Sequence, residues 1–264
     1  MSGLLSIKNL KVGFFREGKV LEVLKGVELN IEENQTIVLA GESGSGKSIT
    51  SLSITRILPK NSRILSGEVY FKGKDLLKLS EAELSGIRGG DIAYIFQEPS
   101  SFLNPVYTIG EQIIEAIILH QNKTKEQAET EALELLYKVK IRDPKRVLLS
   151  YPHQLSGGMN QRSFIALSLA CRPKLLIADE PTTSLDVTIE AEILRLLEEL
   201  KKELGFSLLF ITHNLSIARK IADRVAVMYQ GKIVEEAACE EIFSSPQHFH
   251  TKELIQAYEK IGKI

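Results

Sequence analysis

Gly41-Glu42-Ser43-Gly44-Ser45-Gly46-Lys47-Ser48 follows directly on the apolar run Thr36-Ile37-Val38-Leu39-Ala40. The run reads as a buried strand, and a glycine followed after four residues by Gly-Lys-Ser has the spacing of a phosphate-cradling loop. Glycines permit the backbone angles that turn successive N–H groups inward, and a helix opening near Lys47 would present its positive end to the same anion. Lys47 would reach the terminal phosphates, and the Ser48 hydroxyl would take one Mg²⁺ position. Gly41, Ser43, Gly44, Ser45, Gly46 and Ile49 complete the loop and the first helical turn. A glycine-rich turn that binds nothing would need neither the strand before it nor the helix-compatible sequence after it. The stretch therefore predicts a nucleotide site in an α/β fold.

The 264 residues are enough for one large domain or a core with a subdomain, and 44% hydrophobic with 25% charged residues is ordinary for a globular chain. Thirty-three basic against 34 acidic residues leave a formal charge of −1, so no net positive field recruits nucleic acid. The first ten residues lack the basic start, apolar block and small-residue cleavage site of a secretion signal, and no apolar run approaches the ~20 residues of a membrane span. A cytoplasmic protein is expected. Two cysteines, Cys171 and Cys239, cannot build a disulfide framework or a four-thiolate cluster, and both read as small buried side chains. His248 and His250 with Cys239 lack a fourth ligand for a zinc-type site.

Residues 5–31 alternate apolar and polar positions, with Gly13, Gly18 and Gly26 as breaks, which predicts short antiparallel strands. Residues 64–77 continue that character and are expected in the same small sheet. Ser80-Glu81-Ala82-Glu83 has capping-box spacing and opens a short helix, after which Ile92 to Phe96 is a buried strand. From Pro99 to about Pro144 the pattern turns helical: Ile113, Ile114, Ile117 and Ile118 share one face, and Thr124 caps a helix carrying Ala128, Ala132, Leu135, Leu136 and Val139. Beyond it helices and strands alternate, which implies a parallel sheet covered on both faces. Arg224 to Tyr229 and Lys232 to Glu236 form a terminal hairpin, followed by a last helix.

Leu175-Leu176-Ile177-Ala178-Asp179-Glu180 is an apolar strand ending in two carboxylates. Ligands of open parallel sheets sit beyond the carboxyl ends of strands, so Asp179 would hold Mg²⁺ through its water shell and Glu180 would polarise the attacking water. An acidic pair after a strand is on its own a common surface loop; the phosphate loop makes it meaningful. His213, after Phe210-Ile211-Thr212, and Gln97, after Tyr94-Ile95-Phe96, also end buried strands, within reach of a γ-phosphate and of Mg²⁺ or the lytic water. Leu155-Ser156-Gly157-Gly158-Met159 places a serine and two glycines at a helix start. An ordinary N-cap explains Ser156 but not both glycines, which in a helix are about 1 kcal/mol each worse than alanine. A second anion site explains all three.

In the order Gly41 to Ser48, Gln97, Leu155 to Met159, Asp179-Glu180, Ser184-Leu185-Asp186 and His213, the chain resembles the ATP-binding cassette ATPases from about residue 5 to residue 257. The resemblance implies a P-loop NTPase with a RecA-like core, an N-terminal antiparallel β subdomain and a helical subdomain inserted in the core. It implies a single nucleotide-binding domain over residues 1–264: about 1–98 and 165–240 as β subdomain and core, about 99–164 as the helical signature subdomain, and about 241–264 as a short helical tail. ATP and Mg²⁺ are the implied cofactors, with Glu180, His213, Gln97 and Lys47 catalytic and Ser48, Gln97 and Asp179 around the metal. It further implies a head-to-tail dimer in which Leu155, Ser156, Gly157, Gly158 and Met159 of one subunit face the γ-phosphate held by the other, with Asp186 at the seam. Phe14, or failing that Phe15, is the aromatic expected on adenine.

Within that family Gln97-Glu98-Pro99-Ser100-Ser101-Phe102-Leu103-Asn104-Pro105, Tyr151-Pro152-His153-Gln154 and Glu180-Pro181-Thr182-Thr183-Ser184-Leu185-Asp186-Val187 are similar to the oligopeptide, dipeptide and nickel importers. Met159 replaces the general signature's glutamine, Asn214 stands where aspartate is common, and His248-Phe249-His250-Thr251 partly matches the subgroup's His-Pro-Tyr-Thr. Longer members carry a cysteine-bearing C-terminal extension; with the sequence stopping at Ile264 no such cluster is expected. The implied role is the motor of a peptide importer on the inner face of the cell membrane. Its implied partners are two permease subunits, a sister ATPase or second copy, and indirectly an extracytoplasmic substrate-binding protein. A nickel importer is the alternative; a soluble ATPase acting on ribosomes or DNA fits less well, because neither a second cassette nor a long coiled coil is present.

Overall fold

The computed structural model describes residues 3–183 and 186–261. Among these, the residues up to Leu84 with those from Ser207 onward form one compact unit, and Ser85–Phe206 form the other. In the first unit β1 (Leu5–Arg16) and β2 (Lys19–Ile31) make a long antiparallel pair. The expected breaks at Gly13, Gly18 and Gly26 reduce to one. Only Gly18 ends a strand, in a tight reversal where Glu17 and Gly18 have φ of 51° and 75°. Gly13 and Gly26 lie at register shifts inside the pair, where the chain bulges without ending the strand. Next, β3 (Thr36–Ala40), buried throughout, leads to α1 (Lys47–Ile54). On the free edge of β1 lie β4 (Ser62–Phe71) and then β5 (Lys74–Asp75), giving the order β2-β1-β4-β5. Helix α2 (Glu81–Ile87) follows, opened by the expected reciprocal pair of Ser80 and Glu83.

The second unit combines two buried parallel strands, β6 (Ile92–Ile95) and β7 (Leu175–Asp179), with helices. These are α3 (Pro99–Phe102), α4 (Ile109–Gln121), α5 (Lys125–Lys138), α6 (Pro144–Leu148), α7 (Gly157–Leu169) and α8 (Val187–Leu204). Capping boxes at Thr108 with Glu111 and at Thr124 with Gln127 start α4 and α5. The apolar stripe of α5 is buried as its period predicts, from Ala128 to Val139. The isoleucine face of α4 instead divides: Ile113 and Ile117 are buried, whereas Ile118 is exposed beside Leu119, which is 73% exposed. Ile114, Ile118 and Leu119 border a groove that Lys125 and Glu129 of α5 and Leu148 of α6 also line. Buried Glu131 on α5 accepts from the Nε and Nη2 of Arg172 at 3.1 and 2.8 Å and pairs with Lys123. Burial opposes its charge, but hydrogen bonds from Lys123 and Arg172 outweigh burial and hold the carboxyl below its usual range.

Returning to the first unit, the chain forms β8 (Ser207–Thr212), α9 (Leu215–Ile221), β9 (Arg224–Tyr229), β10 (Lys232–Ala238), α10 (Cys239–Ser244) and α11 (Phe249–Ile261). Strand β3 runs parallel to both β8 and β9, and β10 closes the expected hairpin antiparallel to β9. Five-residue β3 can be apolar on both faces because it is covered on both. Cys171 and Cys239 are free and half-buried, a correction to their reading as buried. Burial pushes the Cys171 thiol up to about 11, and burial likewise raises that of Cys239, so both remain protonated near neutrality. No helix among the described residues is long and apolar enough to cross a membrane.

A depressed folded pKa at Glu131 means that its stabilisation is present above the ordinary carboxylate value and is lost as the pH falls through the folded one. Glu131→Gln should therefore lower the melting temperature at neutral pH, with the gap to the parent closing in acid. Melts across pH measured by circular dichroism test this; a gap independent of pH would remove the ion network as its cause.

Candidate functional site

The loop after β3 is held by backbone contacts. Gly41, Gly44 and Gly46 have φ of 155°, 79° and 113°, in the range that favours glycine. A Cβ on Gly41 would lie 2.2 Å from the carbonyl oxygen of Met228, and one on Gly46 would lie 2.8 Å from the Met228 Cε. Around Gly44 there is open space. The side of the loop formed by Gly41 and Gly46 is thus pressed against β9, whereas Gly44 faces outward. Lys47 is only 5% exposed, and its Nζ donates to the carbonyls of Gly41 and Glu42 at 2.8 and 2.9 Å. Helix α1 begins at Gly46 with no side-chain cap, and the buried Ser45 Oγ has no hydrogen-bond partner. An uncapped helix start, a buried hydroxyl with nothing to bond and a lysine folded onto its own loop form a site suited to an oxyanion. Ser43 and Ser48 are exposed at its rim, and Ile49 is half-buried.

Ala40 pairs with Thr212 across β3 and β8, so Gly41 and His213 leave the sheet at the same carboxyl edge. His213 is exposed. Asn214 behind it does the work of a capping carboxylate: its Oδ1 accepts from the Ser216 N–H at 3.0 Å, and its own N–H donates to Thr212 Oγ1 at 2.9 Å. Phe14 is half-buried on β1, whereas Phe15 is 39% exposed and carries the Arg63 guanidinium 5.3 Å from its ring centroid. Of the two aromatics, Phe15 offers the more open face.

The remaining candidates lie in the second unit. Ile95 pairs with Ala178, so exposed Gln97 and half-buried Glu180 each follow a paired strand position by two residues. Glu180 has φ of 47°, a left-handed conformation that costs a non-glycine residue about 1 kcal/mol or more. Local hydrogen bonds hold it there: Thr183 donates through Oγ1 to Glu180 Oε2 at 2.9 Å and through N–H to its carbonyl at 3.2 Å. Asp179 is half-buried at the end of β7. Phe96, just before Gln97, stacks on Phe102 with centroids 4.0 Å apart.

Ser156 is the N-cap of α7, its Oγ accepting from the Met159 N–H at 3.4 Å. Neither Gly157 nor Gly158 has positive φ, and a Cβ on either would meet nothing within 4 Å. Packing and backbone geometry among the described residues therefore give no reason for glycine there. Leu155 and Met159 are half-buried. A cavity of about 490 Å³ opens beside Ser156, Gly158 and Met159, with Lys140, Arg142, Arg146 and Arg162 around it. Asp186 caps α8, accepting from the Ile189 N–H at 2.9 Å; Ser184 and Leu185 lie outside the described residues.

Sequence reasoning missed Met228 and Arg63, and read Thr183 only as part of a family-like stretch, not as the partner of Glu180. Met228 approaches the loop from a strand nearly two hundred residues later, and no local pattern announces it. Thr183 stands three residues after Glu180, a spacing that could have suggested a turn.

The sequence profile of the family described as "ABC transporter" matches residues 24–183. A "Probable peptide ABC transporter ATP-binding protein" of Sinorhizobium fredii is 48% identical over 255 residues, which are 96% of this chain and 76% of that protein. A "Peptidoglycan transport ATP-binding protein" of Agrobacterium fabrum is 50% identical over 258 residues, 97% of this chain and 47% of that protein, so this chain spans about half its length. A solved dimeric ATP-binding cassette, in a post-hydrolysis state bound to ADP and Pi, is similar with a TM-score of 0.79 and 30% identity, covering 89% of this chain and 98% of that one.

The crowding at Gly41 and the openness at Gly44 predict unequal alanine substitutions. Gly44→Ala should lose about 1 kcal/mol of unfolding free energy through its backbone angle alone. Gly41→Ala, which also collides with a carbonyl, should lose about 2–4 kcal/mol and weaken nucleotide binding. Denaturant melts rank the two; equal losses would mean that Met228 does not confine the loop.

Proposed function

The chain belongs to the ABC transporter family, and on that premise we propose that it is the ATP-hydrolysing subunit of an importer for peptides, driving transport through membrane permease subunits. The phosphate loop carries the ATPase reading: the Lys47 ammonium can exchange two loop carbonyls for phosphate oxygens, and the α1 amides and Ser45 Oγ can take the rest. The relatives' names support peptides as cargo over nickel.

In this reading Lys47 and the loop amides bind the β- and γ-phosphates, and Phe14 or Phe15 stacks on adenine. Ser48, Gln97 and Asp179, the last through water, are oxygen donors of the kind Mg²⁺ takes and would hold the ion, which when bound neutralises phosphate charge. Glu180 accepts the proton of the attacking water and His213 contacts the γ-phosphate. Leu155 to Met159 of a second subunit, a sister ATPase or another copy, complete the pocket, with Asp186 at the seam. The open space over Gly157 and Gly158 is what such an incoming phosphate needs. Because part of each pocket comes from the other subunit, the chain by itself should hydrolyse on the order of 10³-fold more slowly than the assembled motor.

The permease would dock in the groove of about 860 Å³ along α4, whose apolar lining includes Ile114, Ile118, Leu119 and Leu149. Leu149 is 75% exposed, and Glu111, Glu115 and Glu129 rim the groove against a single Lys125, so a short basic amphipathic helix is the segment that fits. In this reading the subunit works at the inner face of the cell membrane, and an extracytoplasmic binding protein chooses the cargo.

Glu180→Gln should retain nucleotide affinity, lose at least about 10²-fold in turnover and trap an ATP-bound dimer, as read by phosphate release and gel filtration. Turnover equal to the parent's would take Glu180 out of the base role. Ile118→Asp with Leu149→Asp should abolish co-purification of permease subunits while nucleotide binding persists. Undiminished co-purification would move the docking surface elsewhere.

A further inference from the structure

The phosphate loop rests on the β9–β10 reversal, and that reversal is clasped from its other side by the C-terminal segment. On the loop side, the Gly231 N–H donates to the Ser45 carbonyl at 2.9 Å, and the Gly231 carbonyl accepts from the Lys25 N–H at 2.8 Å. Met228 adds its carbonyl against Gly41, its Cε against Gly46, and its Sδ, which accepts from Thr50 Oγ1 at 3.8 Å. Gly231 has φ of 84°, and a Cβ there would lie 2.1 Å from the Val23 carbonyl, so the reversal is wedged between the loop and β2 with no slack.

On the tail side, Tyr229 lies between the two residues that touch the loop. Its ring stands 4.2 Å from that of His250, 5.7 Å from Phe249 and 6.4 Å from His248, centroid to centroid. Two backbone bonds fasten the same segment to β10: Gln247 N–H and His248 N–H donate to the two carboxylate oxygens of Glu235 at 2.7 and 2.9 Å. His250 is 2% exposed, its N–H donates to His248 Nδ1 at 3.2 Å, and its Nε2 has no hydrogen-bond partner. The ring's other nitrogen, Nδ1, lies 3.7 Å from the Glu253 carboxylate, and its face packs on Tyr229, so that contact and shape together hold it. Helix α11, which begins at Phe249, also packs on α9, the helix that follows His213. The tail therefore touches the strand that backs the phosphate loop and the helix that follows His213.

We propose that Tyr229 and His250 are positioning residues for the phosphate loop: the C-terminal segment sets triphosphate affinity by holding the β9–β10 reversal against Ser45 and Gly41. Packed elements shift between discrete arrangements and do not yield smoothly, so release at Tyr229 is transmitted to Met228 and Gly231 on either side of it. The inference rests on the reading of the loop as an ATP site.

The test uses the full chain, a fluorescent ATP analogue with Mg²⁺, and amide exchange read by mass spectrometry. Tyr229→Ala and His250→Ala should each weaken the analogue about tenfold and speed exchange across residues 41–48, while exchange in α8 stays as in the parent. His250→Phe, which keeps a flat ring and removes the unbonded nitrogen, should bind within about twofold of the parent. Should Tyr229→Ala fail to fold, Glu235→Gln leaves the rings in place, weakens the two amide bonds and should give a smaller loss with the same exchange signature. Folded alanine variants that bind like the parent, a loss of binding without faster exchange in the loop, or a His250→Phe as weak as His250→Ala would each overturn the proposal. A parent chain that binds no analogue overturns the ATP reading itself, and this inference with it.

Discussion

Lys47 donates to the carbonyl oxygens of Gly41 and Glu42, and through those two bonds a cation withdrawn from water ties its own helix to the start of the loop. Removing an ammonium from water costs several kcal/mol, and two charge-assisted bonds return about 1.5–3 kcal/mol each. An anion with better acceptors than two peptide carbonyls can displace them. The loop's remaining freedom is removed from outside, by Met228 and Gly231, so its amides stay aligned whether or not the lysine changes partners. Preorganisation of this kind lets a phosphate be bound without first paying to order the chain around it.

Strain in the second unit is local and compensated. Glu180 sits in a left-handed conformation that an L-residue avoids, and Thr183 offsets this with one bond to its carboxylate and one to its carbonyl. A carboxylate fixed by its own turn cannot swing with solvent, which suits a group that must meet one water at one angle. The same unit shows the opposite economy on α4, where Ile118 of an apolar stripe is exposed and Ile114 half-buried although α5 beside it buries its own completely. Both departures from ordinary folding preference fall on residues to which the proposed function assigns work.

Much of the chemistry was legible because it is written in short windows. The spacing from Gly41 to Ser48, the strand ending in Asp179-Glu180 and the glycines after Ser156 each need only neighbouring residues to be recognised. The same locality explains the errors. Gly13 and Gly26 look like strand ends in a window of a few residues, yet a partner strand absorbs them as bulges. Ile118 shares a face with buried Ile113 and Ile117, and period alone does not say that it is left outside. Phe14 and Phe15 are adjacent in an extended strand and point to opposite faces, so a choice between them depends on what covers each face.

By itself, then, the order of residues determined which strands and helices form, where the phosphate loop lies and which side chains can carry charge, since these follow from backbone angles, periodicity and caps within a few positions of each other. Tertiary structure alone decided what confines that loop, which aromatic stays open, which isoleucine of α4 is left exposed and that a C-terminal histidine leans on the strand behind Ser45. Those are contacts between segments far apart in the chain, and no local pattern encodes a distance that only folding brings about.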